Sequence, residues 1–345
     1  MKLAPDTPIS GLELPALFAP LARFPIIALA VSGGPDSLAL LHLFAHWRTL
    51  SAPAQPGLVL TVDHGLRPQS ATEATFVARE ARALGLPHET LLWDGPKPAT
   101  ALSNAAREAR YRLLCERLAR EPESPRALIT AHTQDDQGET VLMRLARGSG
   151  VDGLAGIRPE RLLLPEHAIT LLRPLLTIPK SRLEATLSAL GKTWITDPTN
   201  ADPRFERPRL RQSAALRESA GLTNAAIALS AQRLARANDA LIAATDALER
   251  AAVRHDPGIS ATIERAAWMA AALELRIRLL DRLLRACGGS HPPPQLSEVE
   301  RLAGRLLTAT TPTTLGGCLI LPDNDTITLT REPGRPGRQA TRDRP

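Results

Sequence analysis

The chain predicts an α/β fold: a doubly wound parallel sheet followed by a smaller, mainly helical second domain. Three observations carry this. Four short apolar runs alternate with helical patterns in the first part of the chain, as parallel sheets require. The pattern changes after Pro203 to Arg-rich and Ala-rich helical sequence. The length, 345 residues, suggests two domains at ~150 residues each.

The elements follow in order. Residues 26–31 (IIALAV) read as a buried strand. A helix follows over 37–50, with Leu38, Leu40, Leu41, Leu43, Phe44 and Trp47 as its apolar side. Residues 58–62 (LVLTV) form a second strand, with a helix over 70–84. The third strand is 88–93, before a helix over 103–120 with Ser103 as its N-cap. The fourth is 126–131 (RALITA), with a helix over 135–146 behind it. Such sheets bind ligands at the carboxyl ends of their strands. Beyond them, Arg204, Arg207, Arg209 and Arg211 crowd one short segment. Residues 222–254 read as a long helix, with more helices over 268–286 and 295–307. Two short strands are expected at 315–321 and 326–330, joined by a turn at Pro322, Asp323, Asn324 and Asp325. The boundary is placed at 211/212, which gives a catalytic domain over 1–211 and a helical domain over 212–331. The Arg-, Pro- and Gly-rich tail 332–345 is expected to be disordered.

Composition narrows the class. Apolar residues make up 43% and charged residues 23%, which excludes disordered, collagenous and membrane chains. Basic residues number 42 against 36 acidic, a net +6. Residues 1–211 hold 25 and 22 of these and 212–345 hold 17 and 14, so each part carries +3. The surplus fits a nucleic-acid partner without requiring one. Only Lys2, Lys97, Lys180 and Lys192 are lysines; a GC-rich genome accounts for that bias. Cys115, Cys287 and Cys318 lie far apart with no CxxC pair, so neither a zinc site nor a disulfide framework is expected. With no signal peptide and no long apolar run, a cytoplasmic location away from any membrane is expected.

The strongest local signal is Ser32-Gly33-Gly34-Pro35-Asp36-Ser37, between a buried strand and a helix. The glycines let backbone approach an anion, and the helix N-terminus points free N–H groups at it. Ser32 and Ser37 add hydroxyls. Asp36 would repel a phosphate unless Mg²⁺ bridges the two. The GK[ST] ending and the GxGxxG pattern are both absent, so neither a Walker A loop nor a dinucleotide fingerprint is present. A plain Gly-rich turn capped by Asp36 is the alternative.

Other clusters sit at strand ends. Asp63 and His64 follow the second strand and either flank a nucleotide or cap a loop. His132, Asp135, Asp136 and Glu139 follow the fourth, where carboxylates could hold Mg²⁺ or an ammonium, or Asp135 could simply serve a helix N-terminus. Arg107 and Arg110, three apart on one helix, share a face with or without a ligand. Arg147, before a Gly-rich turn, and Arg204, Arg207, Arg209 and Arg211 could grip an RNA backbone.

SGGPDS resembles the loop of the PP-loop ATP pyrophosphatases. With VDHGLRPQS, ARxxRYxLL, AHTQDDQGETVLMRLARGSGVDGLAG and WxTDPTN in the same order, residues 26–211 resemble the tRNA(Ile)-lysidine synthetase family. Pro208 departs from the expected Asn. The resemblance implies an ATP-binding loop at Ser32, Gly33, Gly34, Pro35, Asp36 and Ser37, with Mg²⁺ on Asp36. It implies ATP-driven ligation of free L-lysine to C2 of the wobble cytidine of tRNA(Ile) with a CAU anticodon. Asp36, Arg110, His132 and Asp136 are its catalytic candidates. Asp63, His64, Arg107, Asp135 and Glu139 are candidates for a nucleotide or lysine pocket. No obligate protein partner is expected, and a homodimer is left open. The rivals are a PP-loop tRNA thiolation enzyme, a small-molecule amidotransferase or nucleotide synthetase, and a non-catalytic RNA-binding protein.

Overall fold

The computed structural model describes all residues except 1–5, 52–54, 67, 68, 96, 99, 101, 197–203, 205, 257–259, 290–292 and 333–345. Arg67, Asp197, Pro198, Asn200, Pro203 and all of the tail beyond Glu332 therefore lie outside the described residues.

The described chain divides into two compact units, 1–235 and 236–345. In the first, strands β1 (Ile26–Ala30), β2 (Gly57–Asp63), β3 (His88–Leu92), β4 (Arg126–Ile129), β5 (Glu160–Leu164) and β6 (Ile169–Leu172) form one sheet. Its order is β3-β2-β1-β4-β6-β5. All neighbours are parallel except β5, which runs antiparallel to β6 at the edge. Nearly every residue of β1, β4 and β6 is buried, as in a sheet covered on both faces. The helices are α1 (Leu14–Phe18), α2 (Pro35–Ser51), α3 (Ser70–Ala83), α4 (Leu102–Leu118), α5 (Gln134–Leu145), α6 (Val151–Leu154), α7 (Lys180–Ala189), α8 (Glu206–Gln212), α9 (Ala214–Ser219) and the start of α10 (Asn224–Ala252). Ile27, Leu29, Phe44 and Trp47 anchor one core face with α1, α2, α3 and α7, and Leu60, Leu114 and Leu128 the other with α4. Order reverses beside β1, so β1 and β4 lead outward to opposite neighbours and open the ligand crevice at their carboxyl ends.

The four expected strands are present, and β5 and β6 are additional. Their connection hides them: a short 3-10 turn ends on Ala168 with φ 47°, a left-handed position usually marked by glycine. The contact boundary also falls later than 211/212. Ile227 and Ala231, in the first turns of α10, pack on Val141 of α5 and so tie that stretch to the first unit.

The second unit holds the rest of α10, α11 (Arg265–Ala270), α12 (Leu273–Gly288) and α13 (Leu296–Arg305). Five strands, not two, accompany them: β7 (Val253–Asp256), β8 (Ser260–Glu264), β9 (Thr313–Leu315), β10 (Cys318–Pro322) and β11 (Thr326–Arg331). They form an antiparallel sheet ordered β7-β8-β11-β10-β9. The expected strand over 315–321 is broken by Gly316 and Gly317, both at positive φ, which make a tight hairpin. Trp268, Leu280, Ile320 and Leu329 are buried between helices and sheet.

Candidate active site

The phosphate loop is built by strand, turn and helix. Val31 N–H donates to the Leu60 carbonyl at 3.0 Å, and the chain then leaves the sheet. Gly33 sits at φ +86°, where a Cβ would lie 2.5 Å from Ile195 Cδ1; only glycine meets both demands. Ile195 N–H also donates to the Gly33 carbonyl at 3.0 Å. The irregular stretch carrying Ile195 is itself tied down by Lys192, whose ammonium donates to Glu80 at 2.9 Å. Pro35 opens α2, where its missing N–H costs nothing. Ser37 is buried: its hydroxyl accepts from Ser32 N–H and donates to the Gly34 carbonyl, both at 3.1 Å. Ser37 thus braces the loop rather than offering its proton outward, while Ser32 is exposed.

Asp36 occupies the first turn of α2. Its Oδ1 is buried without a hydrogen-bond partner, and its Oδ2 lies 3.8 Å from Lys180 Nζ. Burial pushes its pKa up to about 6, with Lys180 opposing and Asp136 reinforcing the rise. A cation at this carboxylate would relieve that cost.

The acidic cluster after β4 is already paired. Thr133 caps α5 in a capping box: Thr133 N–H donates to Asp136 Oδ2 at 2.8 Å, and Asp136 N–H donates to Thr133 Oγ1 at 3.3 Å. Asp136 Oδ1 takes no part in the capping box and lies 3.7 Å from Arg207. Asp135 accepts from Lys180 N–H and from Asn224 Nδ2, each at 2.8 Å. Glu139, 2% exposed, accepts from Arg211 Nε at 2.5 Å, with Arg207 3.8 Å away. Burial raises the Glu139 pKa against the pull of Arg211.

Across the strand ends stands a cationic wall. Arg107 and Arg110 lie over the Tyr111 ring, 5.2 and 5.3 Å from its centroid. Arg173, just past β6, is 7% exposed and donates to the Arg158 carbonyl. The Nε atoms of Arg110 and Arg173 are buried without partners among the described residues. Burial holds both guanidinium groups below their ordinary range. His132 Nδ1 meets Thr130 Oγ1 at 2.9 Å. Burial, opposed by Asp136 and aided by Arg173, Arg110 and Arg107, pushes its pKa down to about 3, so the ring is neutral at neutral pH. His64 stands edge-on to Trp93 at 5.7 Å, with Nδ1 buried and unpartnered. Burial lowers its pKa too, with Arg110 contributing. Asp63 is spent locally, accepting from Gly65 N–H at 2.8 Å.

The PP-loop domain family matches residues 10–217. The tRNA(Ile)-lysidine synthase of Rhodopseudomonas palustris is 43% identical over 96% of this chain and 97% of its own length. That of Methylobacterium nodulans is 46% identical over 90% and 91%. The chain belongs to the tRNA(Ile)-lysidine synthase family. As a member it is an ATP-dependent ligase. The U34-tRNA thiolase NcsA of Methanococcus maripaludis, known with its [4Fe-4S] cluster, shares the fold with a TM-score of 0.54. It is 17% identical, and the match covers 66% of this chain and 78% of that one.

On this lysidine synthase scaffold the structure gathers Asp36, Asp136, His132, Arg107, Arg110 and His64 around the ends of β1, β2 and β4. It separates the expected RNA-binding arginines. Arg147 pairs with Glu206, Arg207 and Arg211 turn to the acidic cluster, and Arg204 and Arg209 are exposed. Pro208, buried within α8, presents no side-chain donor. Arg173 and Lys180 escape the sequence reading. Their only signal is position, on either side of the apolar stretch Pro174–Pro179 that follows the unrecognised β6.

Proposed function

We propose that the chain joins the ε-amine of free L-lysine to C2 of the wobble cytidine of tRNA(Ile) with a CAU anticodon. The single observation that carries this is the buried, unpartnered Asp36 Oδ1 in the phosphate loop, found together with buried open Nε donors on Arg110 and Arg173 at the strand ends. The C2 carbonyl oxygen of cytidine attacks the α-phosphorus of ATP, and pyrophosphate leaves. The lysine amine then attacks C2, loses a proton and expels AMP. Loop amides and the α2 dipole receive the departing phosphates. Arg110 stabilises charge at the transferred phosphoryl group, and Arg107 supports it.

Asp36 fits Mg²⁺: a carboxylate with one buried open oxygen, beside a phosphate site, matches an ion usually held by one or two carboxylates plus substrate phosphates. Among the described residues no group of three or more His, Cys, Asp and Glu could hold a metal ion. Bound at Asp36, the ion would neutralise charge on the leaving pyrophosphate. His132, neutral and fixed by Thr130, positions the base. Asp136 Oδ1, the acidic atom left outside the capping box, attracts the lysine ammonium and accepts its proton. Asp63 and Asp135 are local ties in this reading, and His64 lines the nucleotide side. Residues 1–211 carry catalysis, and 212–331 hold tRNA together with Arg147, Arg204 and Arg209. A wobble base in a single-stranded loop is accessible without melting a duplex.

Sulfur transfer finds no support in the cysteines. All three are buried, and burial pushes Cys115 up to about 11 and Cys318 to about 12. No described helix is long and apolar enough to cross a membrane. Incubation with labelled lysine, ATP and unfractionated tRNA tests the proposal. Lysine should enter tRNA only with ATP, and Asp36→Ala and Asp136→Ala should stop pyrophosphate release or lysine transfer. ATP-independent binding alone, or sulfur incorporation, would defeat it.

A further inference from the structure

We infer that Lys180 is a pyrophosphate-binding residue, reaching the β- and γ-phosphates of ATP from the side of Asp36 opposite its open oxygen. The inference rests on the ATP reading above and adds a residue to it. Lys180 opens α7, and that helix start is fixed in two places. Gln134 N–H donates to the Ile178 carbonyl at 3.0 Å, and Lys180 N–H donates to Asp135 Oδ2 at 2.8 Å. The starts of α5 and α7 are thereby locked together, and the Lys180 side chain extends toward the phosphate loop.

Its ammonium approaches Asp36 Oδ2 at 3.8 Å and Glu184 Oε1 at 3.9 Å. Both separations exceed a hydrogen bond, so the donors of a charged group remain open beside the loop. Asp36 uses its two oxygens differently: Oδ2 faces the ammonium, while Oδ1 has no partner. A metal at Oδ1 and the ammonium at Oδ2 can therefore coexist, and together they offset the carboxylate that would otherwise oppose a polyphosphate. The alternatives are poorer. Arg211 is bonded to Glu139, and Arg110 belongs to the wall around Tyr111. If Lys180 served only to neutralise Asp36, the contact would be expected at hydrogen-bond length.

Calorimetric titration with Mg-ATP, Mg-pyrophosphate and AMP tests this on wild type, Lys180→Gln and Lys180→Arg. A charge-assisted hydrogen bond is worth roughly tenfold or more in affinity. Lys180→Gln should therefore weaken Mg-ATP and Mg-pyrophosphate by about that factor and leave AMP unchanged, and Lys180→Arg should recover most of the loss. Equal pyrophosphate affinity in wild type and Lys180→Gln overturns the inference, as does a parallel loss of AMP.

A second measurement needs no variant. The chain has four lysines, so acylation can be mapped residue by residue in wild type. Mg-pyrophosphate should protect Lys180, and AMP should leave it reactive. Unprotected Lys180 overturns the inference alone. A wild-type chain that binds neither Mg-ATP nor pyrophosphate defeats the ATP reading and this inference with it.

Discussion

The two sides of the same strand ends are built in opposite ways. On the side of α4 and β6, exposed Arg107 joins Arg110 and Arg173 with no carboxylate bonded to them among the described residues, and the Nε atoms of Arg110 and Arg173 are buried with open donors. On the side of α5 and α8, Asp135, Asp136 and Glu139 are all engaged, by backbone, Asn224, Arg207 and Arg211. Burying cations without anions is costly, and a fold retains such an arrangement where a ligand supplies the missing charge. The acidic side needs no such ligand to be satisfied. An ammonium entering there competes with guanidinium groups already in place.

The largest expected effect breaks the open side. Arg110→Ala should lower the rate of pyrophosphate release by roughly 100- to 1000-fold, the range for a lost donor to developing charge. Its effect on stability should stay within about 1 kcal/mol, because the removed cation has no anionic partner among the described residues. Single-turnover kinetics beside urea denaturation checks both halves. A large stability loss with a small rate loss would make the wall structural, and the contrast between the two sides would fail.

The closed side gives the next effect, and it is asymmetric. Arg211→Gln leaves Glu139, 3% exposed in its side chain, as a buried carboxylate with only Arg207 nearby. Glu139→Gln instead leaves an arginine that is 41% exposed and can return to water. Arg211→Gln should therefore cost about 2–3 kcal/mol and Glu139→Gln about 1, with the double variant near the milder single one. Chemical denaturation of the four proteins in a double-mutant cycle measures the coupling. Equal losses from the two single variants would show that Glu139 is not stranded by losing its partner.

These contrasts also separate what was legible in the sequence from what was not. The loop was legible because its demands are local: glycine for positive φ, proline at a helix start, serine and aspartate in the turn. The four central strands were legible because each is a continuous apolar run. Arg173 was not, because β6 is four residues long and its turn uses Ala168 where glycine would have marked it. Lys180 belongs to no motif and meets Asp36 only through the packing of α7 on α5. The pairing of Glu139 with Arg211 spans 72 residues, and no periodicity encodes a contact at that distance. In the sequence the acids of α5 and the arginines of α8 stand as two separate surfaces, and only the fold makes them one paired cluster.

His132 lies where the two sides meet, and at neutral pH it should give the smallest effect. Its folded pKa, about 3, is held below the ordinary 6.5 chiefly by burial, with Asp136 opposing and Arg173 and Arg110 assisting. The unfolded chain takes up this proton as pH falls through about 6.5, while the folded chain stays neutral. Stability associated with the neutral ring is therefore complete above 6.5 and declines as pH falls toward 3. His132→Asn removes that proton uptake, so its unfolding free energy should fall less steeply than wild type across this window. Urea titrations at intervals from pH 7 to 4 would show it as a difference in slope. If the open wall sets the shift, Arg110→Ala should reduce the slope difference only partly, because burial remains the larger cause. Parallel slopes for wild type and His132→Asn would mean that the ring is not held neutral, and the cationic wall would then lose its reach across the strand ends.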